Sequence, residues 1–232
     1  MEIVYYESLG STNETAKEAA RAGADAFYTV VASTQTAGRG RMERRFLSPV
    51  GGTYFSTVLR PAFGRECYGA ITPFAALAVW RAVRELCDIS LDIKWVNDLL
   101  WKGKKVCGIL AEAGEDQDGV PFVVLGIGIN TGSEALPAEL ADIATTLPYH
   151  DPKALIERIL FYLHDFEREI ELGTWLQAYR AHLCCLGKRV LVIKHESTRS
   201  ALVLDVAPLG GLAVCYDDGT EETLTGGEIS LR

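Results

Sequence analysis

Residues 35–52, QTAGRGRMERRFLSPVGG, are the stretch on which the reading of this chain turns. They join residues 28–33, YTVVAS, to residues 53–59, TYFSTVL, two β-branched and aromatic runs that predict neighbouring strands. This stretch alone, 18 residues, exceeds the ~12–15 beyond which structureless loops are usually functional or disordered. It carries Arg39, Arg41, Arg44 and Arg45 against one acid, Glu43, in a chain of formal net charge −8. An anion is therefore expected at this loop. The glycine pairs Gly38/Gly40 and Gly51/Gly52 let the backbone bend and approach a ligand. A solvated basic loop is the plainer alternative.

The 232 residues, 48% hydrophobic and 23% charged, suit a soluble globular protein with one large domain, or a medium one with a small companion. The acidic balance argues against a general nucleic-acid binder or an anionic-membrane binder, either of which would show a broad basic face. No basic, apolar leader opens the chain, and no run approaches the ~18 apolar residues of a membrane span. A cytoplasmic location is expected. Cys67, Cys87, Cys107, Cys184, Cys185 and Cys215 lack C-x-x-C spacing, which predicts reduced, buried thiols rather than disulfides or zinc. The four histidines are isolated, so no histidine metal cluster is expected.

Working outward, residues 1–7 alternate weakly and predict a first strand. Ser11 followed by Glu14 reads as a capping box for a helix running to Gly23. Ser11, Thr12 and Asn13 also gather polar groups and free N–H donors where a polar ligand could dock. Residues 68–87 predict a buried helix on Leu77, Trp80, Val83 and Leu86.

Residues 91–112, LDIKWVNDLLWKGKKVCGILAE, predict a strand and then a hairpin turned at Gly103-Lys104. That register puts Lys105 on a face with Cys107, Ile109 and Ala111. A lysine there needs an anion partner or must snorkel to water, and Lys94 carries the same ambiguity. Asn97 and Asp98 offer groups that can orient phosphate and hold Mg²⁺. In residues 120–130, Val123, Leu125, Ile127 and Ile129 share one face, and Gly126, Gly128 and Asn130 the other. Glycines inside a strand often mark close approach of a ligand. Thr131 stands where a dinucleotide fingerprint needs its last glycine, and no Walker A loop is present.

Asp151-Pro152 opens an amphipathic helix traced by Leu155, Ile156, Ile159, Leu163, Phe166 and Ile170, and a second helix spans residues 174–186. Beyond a boundary near Gly187, about five short strands with Gly-rich turns predict a small barrel. The expected domains are 1–186 and 187–232.

Four segments stand in order: Ser11-Thr12-Asn13; Gly38-Arg39-Gly40-Arg41 continuing to Ser48-Pro49; Lys94-Trp95-Val96-Asn97-Asp98 with Lys105; and residues 126–130, GIGIN. With the terminal GGEISLR, this order resembles the biotin protein ligase family over nearly the whole chain. Val96 replaces the proline usual in that family, and Phe46 stands where tryptophan is common. The resemblance implies an α+β fold: a class II aminoacyl-tRNA-synthetase-like catalytic domain with a mixed sheet and flanking helices, then a small SH3-like barrel. It implies that biotin and MgATP give biotinoyl-5′-AMP, and that biotin then passes to a lysine of a biotin carboxyl carrier domain. By similarity, Ser11, Thr12, Asn13, Gln35, Gly38, Arg39, Arg41, Lys105 and Gly108 meet biotin. Arg41, Arg44, Phe46, Lys94, Asn97 and Asn130 belong to the nucleotide, Asp98 to Mg²⁺, and Arg39, Arg41 and Lys105 to catalysis. Fixed cations suit such a reaction, because a carboxylate attacking an α-phosphate brings negative charges together.

The Ser11 cluster begins ten residues from Met1, so the winged-helix DNA-binding domain of bifunctional relatives is not expected, nor is operator binding. Monomers and homodimers are both compatible with the family. The rival readings are a lipoate protein ligase and a non-catalytic biotin or nucleotide sensor; the G-R-G-R loop and the barrel favour biotin ligation.

Overall fold

The computed structural model describes residues 1–42, 44–132, 136–194 and 197–231. Glu43 of the arginine loop and Arg232 of GGEISLR lie outside the described residues. The elements run β1 (Ile3–Leu9), α1 (Thr12–Arg21), β2 (Thr29–Gln35), β3 (Thr53–Leu59), α2 (Ile71–Cys87), β4 (Asp92–Lys94), β5 (Asp98–Trp101), β6 (Lys104–Glu115) and β7 (Pro121–Ile129). They continue with α3 (Pro152–Leu163), α4 (Phe166–Leu172), α5 (Trp175–His182), β8 (Arg189–Lys194), β9 (Ser197–Val206), β10 (Leu212–Tyr216), β11 (Glu221–Leu224) and β12 (Glu228–Leu231).

Seven strands form one sheet in the order β1-β2-β3-β7-β6-β5-β4. It is mixed: β1 and β2 pair parallel, and every other neighbour pairs antiparallel. The two faces of β7 explain the layers. Val123, Leu125, Ile127 and Ile129 point into the main core with Leu77, Val79 and Val83 of α2. On the opposite face, Phe122 and Val124 pack with Ala16 and Ala20 of α1. Further along that same face the side chains vanish at Gly126 and Gly128. A sheet face needs cover only where it is apolar, so the body of α1 covers the bulky half, and over the glycine half reach only Asn13 at its start and the Phe46 ring.

The last five strands make a second sheet, ordered β11-β10-β9-β8-β12. Its buried residues, among them Val190, Val203 and Ile229, join the same core as α2 and α5.

Several local expectations change. Ser11 is the N-cap of α1, but its side chain makes no capping bond. The Thr12 N–H is instead taken by Gln35 Oε1 at 2.8 Å, and Glu14 turns to Lys17 and Arg39. The hairpin turns at Lys102-Gly103, both with positive φ, as a two-residue type I′ turn requires. The helix expected through Ile170 breaks at His164-Asp165. This lets Phe166 turn inward against Phe27 and Phe63.

Candidate functional site

The glycine half of the sheet face is the floor of a cavity of about 660 Å³, within the usual range for a small-ligand site. Gly108 of β6 and Gly128 of β7 are register partners, and the Phe46 ring lies over both. A β-carbon on Gly128 would come within 2.5 Å of that ring, and one on Gly108 within 3.0 Å. One on Gly126 would strike the Asn13 amide. The floor is therefore shaped by what these positions lack.

Lys105 does not share the Cys107, Ile109 and Ala111 face. Leu99 pairs with Cys107 and Leu100 with Lys105, so Val106 is an extra residue in β6. Such a bulge re-aims the side chains beside it. Val106 and Cys107 are both buried in the core, while Lys105 lies on the cavity side with its ammonium 2.7 Å from Asp98. The bulge has a backbone cause: the Lys105 N–H donates to Ile143 O and its carbonyl accepts from Thr145 N.

At one end of the cavity the polar groups are interlocked. Gln35 Oε1 accepts from the Thr12 hydroxyl as well as its N–H, and Gln35 Nε2 donates to Ser48 Oγ at 2.8 Å. The fully buried Ser56 donates to Asn13 Oδ1 at 2.6 Å and lies 2.8 Å from Thr12 Oγ1. At the other end are Lys94, Asn97, Asp98 and Lys105.

The arginine loop arches between them. It has its own ladder: Phe46 N donates to Gly38 O, and Gly40 N to Arg44 O. Arg41 donates to Asn97 Oδ1 at 3.1 Å and to Gly227 O at 2.9 Å. Arg44 grips both oxygens of Glu228, at 3.0 and 2.6 Å. Burial lowers the Arg41 guanidinium from its ordinary pKa, with Asp98 and then Glu228 opposing. Hydrogen bonding to Arg44 holds the Glu228 carboxyl below its ordinary value.

Ser11, Thr12, Asn13, Gln35, Arg39, Arg41, Arg44, Phe46, Lys94, Asn97, Asp98, Lys105 and Gly108 thus line one cavity. Gly38 and Asn130 do not. Gly38 is pressed against the Phe46 carbonyl and Ser48 Oγ, and buried Asn130 binds Thr145 O at 3.2 Å. The sequence reading gave no role to Gly227, Glu228, Ser230 and Leu231, or to Asp142 and Ile143, which complete the wall. GGEISLR was the available signal for the first four.

Residues 5–130 match the family model described as the biotin/lipoate A/B protein ligase family. The chain belongs to this family. It is 44% identical over 148 residues to the bifunctional ligase/repressor BirA of Bacillus subtilis, covering 62% of this chain and 46% of that protein. To the biotin--[acetyl-CoA-carboxylase] ligase of Mycobacterium tuberculosis it is 33% identical over 201 residues, 79% of this chain and 71% of that one. The fold matches the biotin protein ligase of Aquifex aeolicus in complex with biotin and ATP, with TM-score 0.84 and 28% identity over 100% of this chain and 98% of that one. The chain spans about half the length of the two Bacillus BirA proteins it matches. Among the described residues, no helix is long and apolar enough to cross a membrane.

Proposed function

We propose that this family member is an ATP-dependent biotin protein ligase. The supporting observation is the division of one cavity into a hydrogen-bonding end on Thr12, Asn13 and Gln35 and an end that carries Lys94, Asp98 and Lys105, joined by a floor of glycines. A ureido ring with an apolar chain suits the first end, and a carboxylate beside phosphates the second. The matched Aquifex aeolicus structure, which holds biotin and ATP, supports the same reading.

In the first step a biotin carboxylate oxygen attacks the α-phosphorus of ATP, and the bond to the leaving pyrophosphate breaks. Arg39, Arg41 and Lys105 offset the charge gathered there, acting as fixed donors in a partly dehydrated site. Phe46 offers a face to adenine, with Arg44, Lys94 and Asn97 on the nucleotide side, and Asn130, buried on Thr145 O, acts only from behind the cavity wall. Mg²⁺ on nucleotide phosphates needs only one or two protein carboxylates. Asp98, one oxygen on Lys105, is the side chain that would meet it, and the ion would neutralise phosphate charge. In the second step a carrier-domain lysine attacks the acyl carbon and AMP leaves. The loop over the cavity keeps water from the mixed anhydride in between.

The finer architecture belongs to the same proposal: a synthetase-like catalytic unit over residues 1–186 and an SH3-like barrel over 187–232. The separate five-stranded sheet supports it.

The deciding experiment offers labelled biotin or lipoate, MgATP and a carrier domain. Biotin transfer with pyrophosphate release is expected. Transfer of lipoate alone, or binding without pyrophosphate, would replace the reading with a lipoate ligase or a sensor.

A further inference from the structure

Behind the hydrogen-bonding end of the cavity sits a pair of charges, Glu112 and Lys17, that does not line it. Glu112 of β6 accepts from Asn13 Nδ2 at 2.8 Å through one carboxylate oxygen. Its other oxygen lies 3.0 Å from the ammonium of Lys17, on the second turn of α1. Both side chains are largely withdrawn from water, 24% and 12% exposed. Lys17 also reaches Glu14 at 2.8 Å, and Glu14 in turn pairs with Arg39.

An asparagine amide can be turned either way by exchanging its oxygen and nitrogen, and its partners decide which way it lies. An ionised carboxylate only accepts, so Glu112 compels the NH₂ group to face it. The carbonyl is then left toward Ser56 Oγ, at 2.6 Å, directly over Gly126. Lys17 holds the second oxygen of Glu112 and so aims the carboxylate.

We infer that the Glu112–Lys17 pair is a positioning device that fixes the polarity of the Asn13 amide and so sets affinity for biotin. The inference rests on the ligase reading of the cavity and adds two residues to it. Neither touches the ligand, and each acts through Asn13.

Glu112→Gln keeps size but can present either an acceptor or a donor to Asn13, so both amide orientations become available. Expected is a rise of about tenfold in the biotin Kd by calorimetry and in the biotin KM, as for loss of one charge-assisted hydrogen bond. The kcat and the KM for ATP should stay within about twofold. Lys17→Met, which leaves the carboxylate but removes its clamp, should move biotin affinity the same way by about threefold. Unchanged biotin affinity in both variants overturns the inference. So does a parallel rise in the KM for ATP with a fall in thermal stability, the mark of a merely structural pair. Wild type that binds no biotin would instead overturn the ligase reading beneath it.

Discussion

The floor of the cavity and the loop above it are held by opposite means. The floor belongs to β6 and β7, whose backbones are paired along their length and whose reverse face is buried against α2. The loop rests on a few hydrogen bonds and ion pairs to distant parts of the chain, several in contact with water. Lys105 stands on the floor, at a fixed place, while Arg39 and Arg41 reach the cavity from the loop. Where ligands must enter and leave, the contacts are individually weak.

This contrast is open to breaking, and the largest effect is expected on the floor. Lys105→Ala should slow adenylate formation by roughly 10²–10³, the usual effect of removing one preorganised charge-stabilising group. A pyrophosphate-release assay showing an unchanged rate would take Lys105 out of the reaction. Gly128→Val comes next. A β-carbon there would meet the Phe46 ring at 2.5 Å; if the ring gives way into the cavity, the overpacking of about 1–3 kcal/mol falls on the bound state, a loss of roughly 5- to 150-fold in ligand affinity. Calorimetry checks this, with circular dichroism confirming the fold.

Loop substitutions should change retention more than chemistry. Arg41→Gly removes two hydrogen bonds from a charged group, each worth about 1.5–3 kcal/mol. Adenylate should still form but escape into solution, which chromatography of free adenylate would reveal; no increase would count against the lid. The Arg44–Glu228 pair is weaker. Arg44 is 65% exposed, so a double-mutant cycle should give a coupling below about 1 kcal/mol that shrinks with salt.

The smallest effect is that of pH on the same pair. Arg44 holds the Glu228 carboxyl below its ordinary value of 4.5. The pair's contribution is therefore present above that value and fades as pH falls through the depressed one. Hydrogen-exchange protection of the loop amides should fall there before that of β7 does. Simultaneous loss in both would mean that the loop is no separate unit.

Much of this contrast was legible in the sequence, for physical reasons. The glycine floor shows because strand periodicity puts Gly126 and Gly128 on one face and Ile127 and Ile129 on the other. The last five strands show because short apolar alternations are bounded by turn residues. Lys105 was misplaced because a bulge leaves no mark in a period-two pattern: Val106 is as suitable for the core as Cys107. Glu228 was passed over because its partner is Arg44, and no local pattern reports so distant a pairing. Ser11 and Glu14 form a fair capping box in isolation, but Lys17 and Arg39 draw Glu14 away and Gln35 takes the neighbouring Thr12 N–H.

The fastening of the loop to β12 also sets an order of events during synthesis. Arg44 and Glu228 lie 184 positions apart. At ~5–20 residues per second, a ribosome needs roughly 10–40 s to travel between them. For that interval the nascent chain can carry the first sheet and its glycine floor without the anchor for its cover. If the cavity holds a labile anhydride as proposed, its cover is fastened only once the last strand has been made.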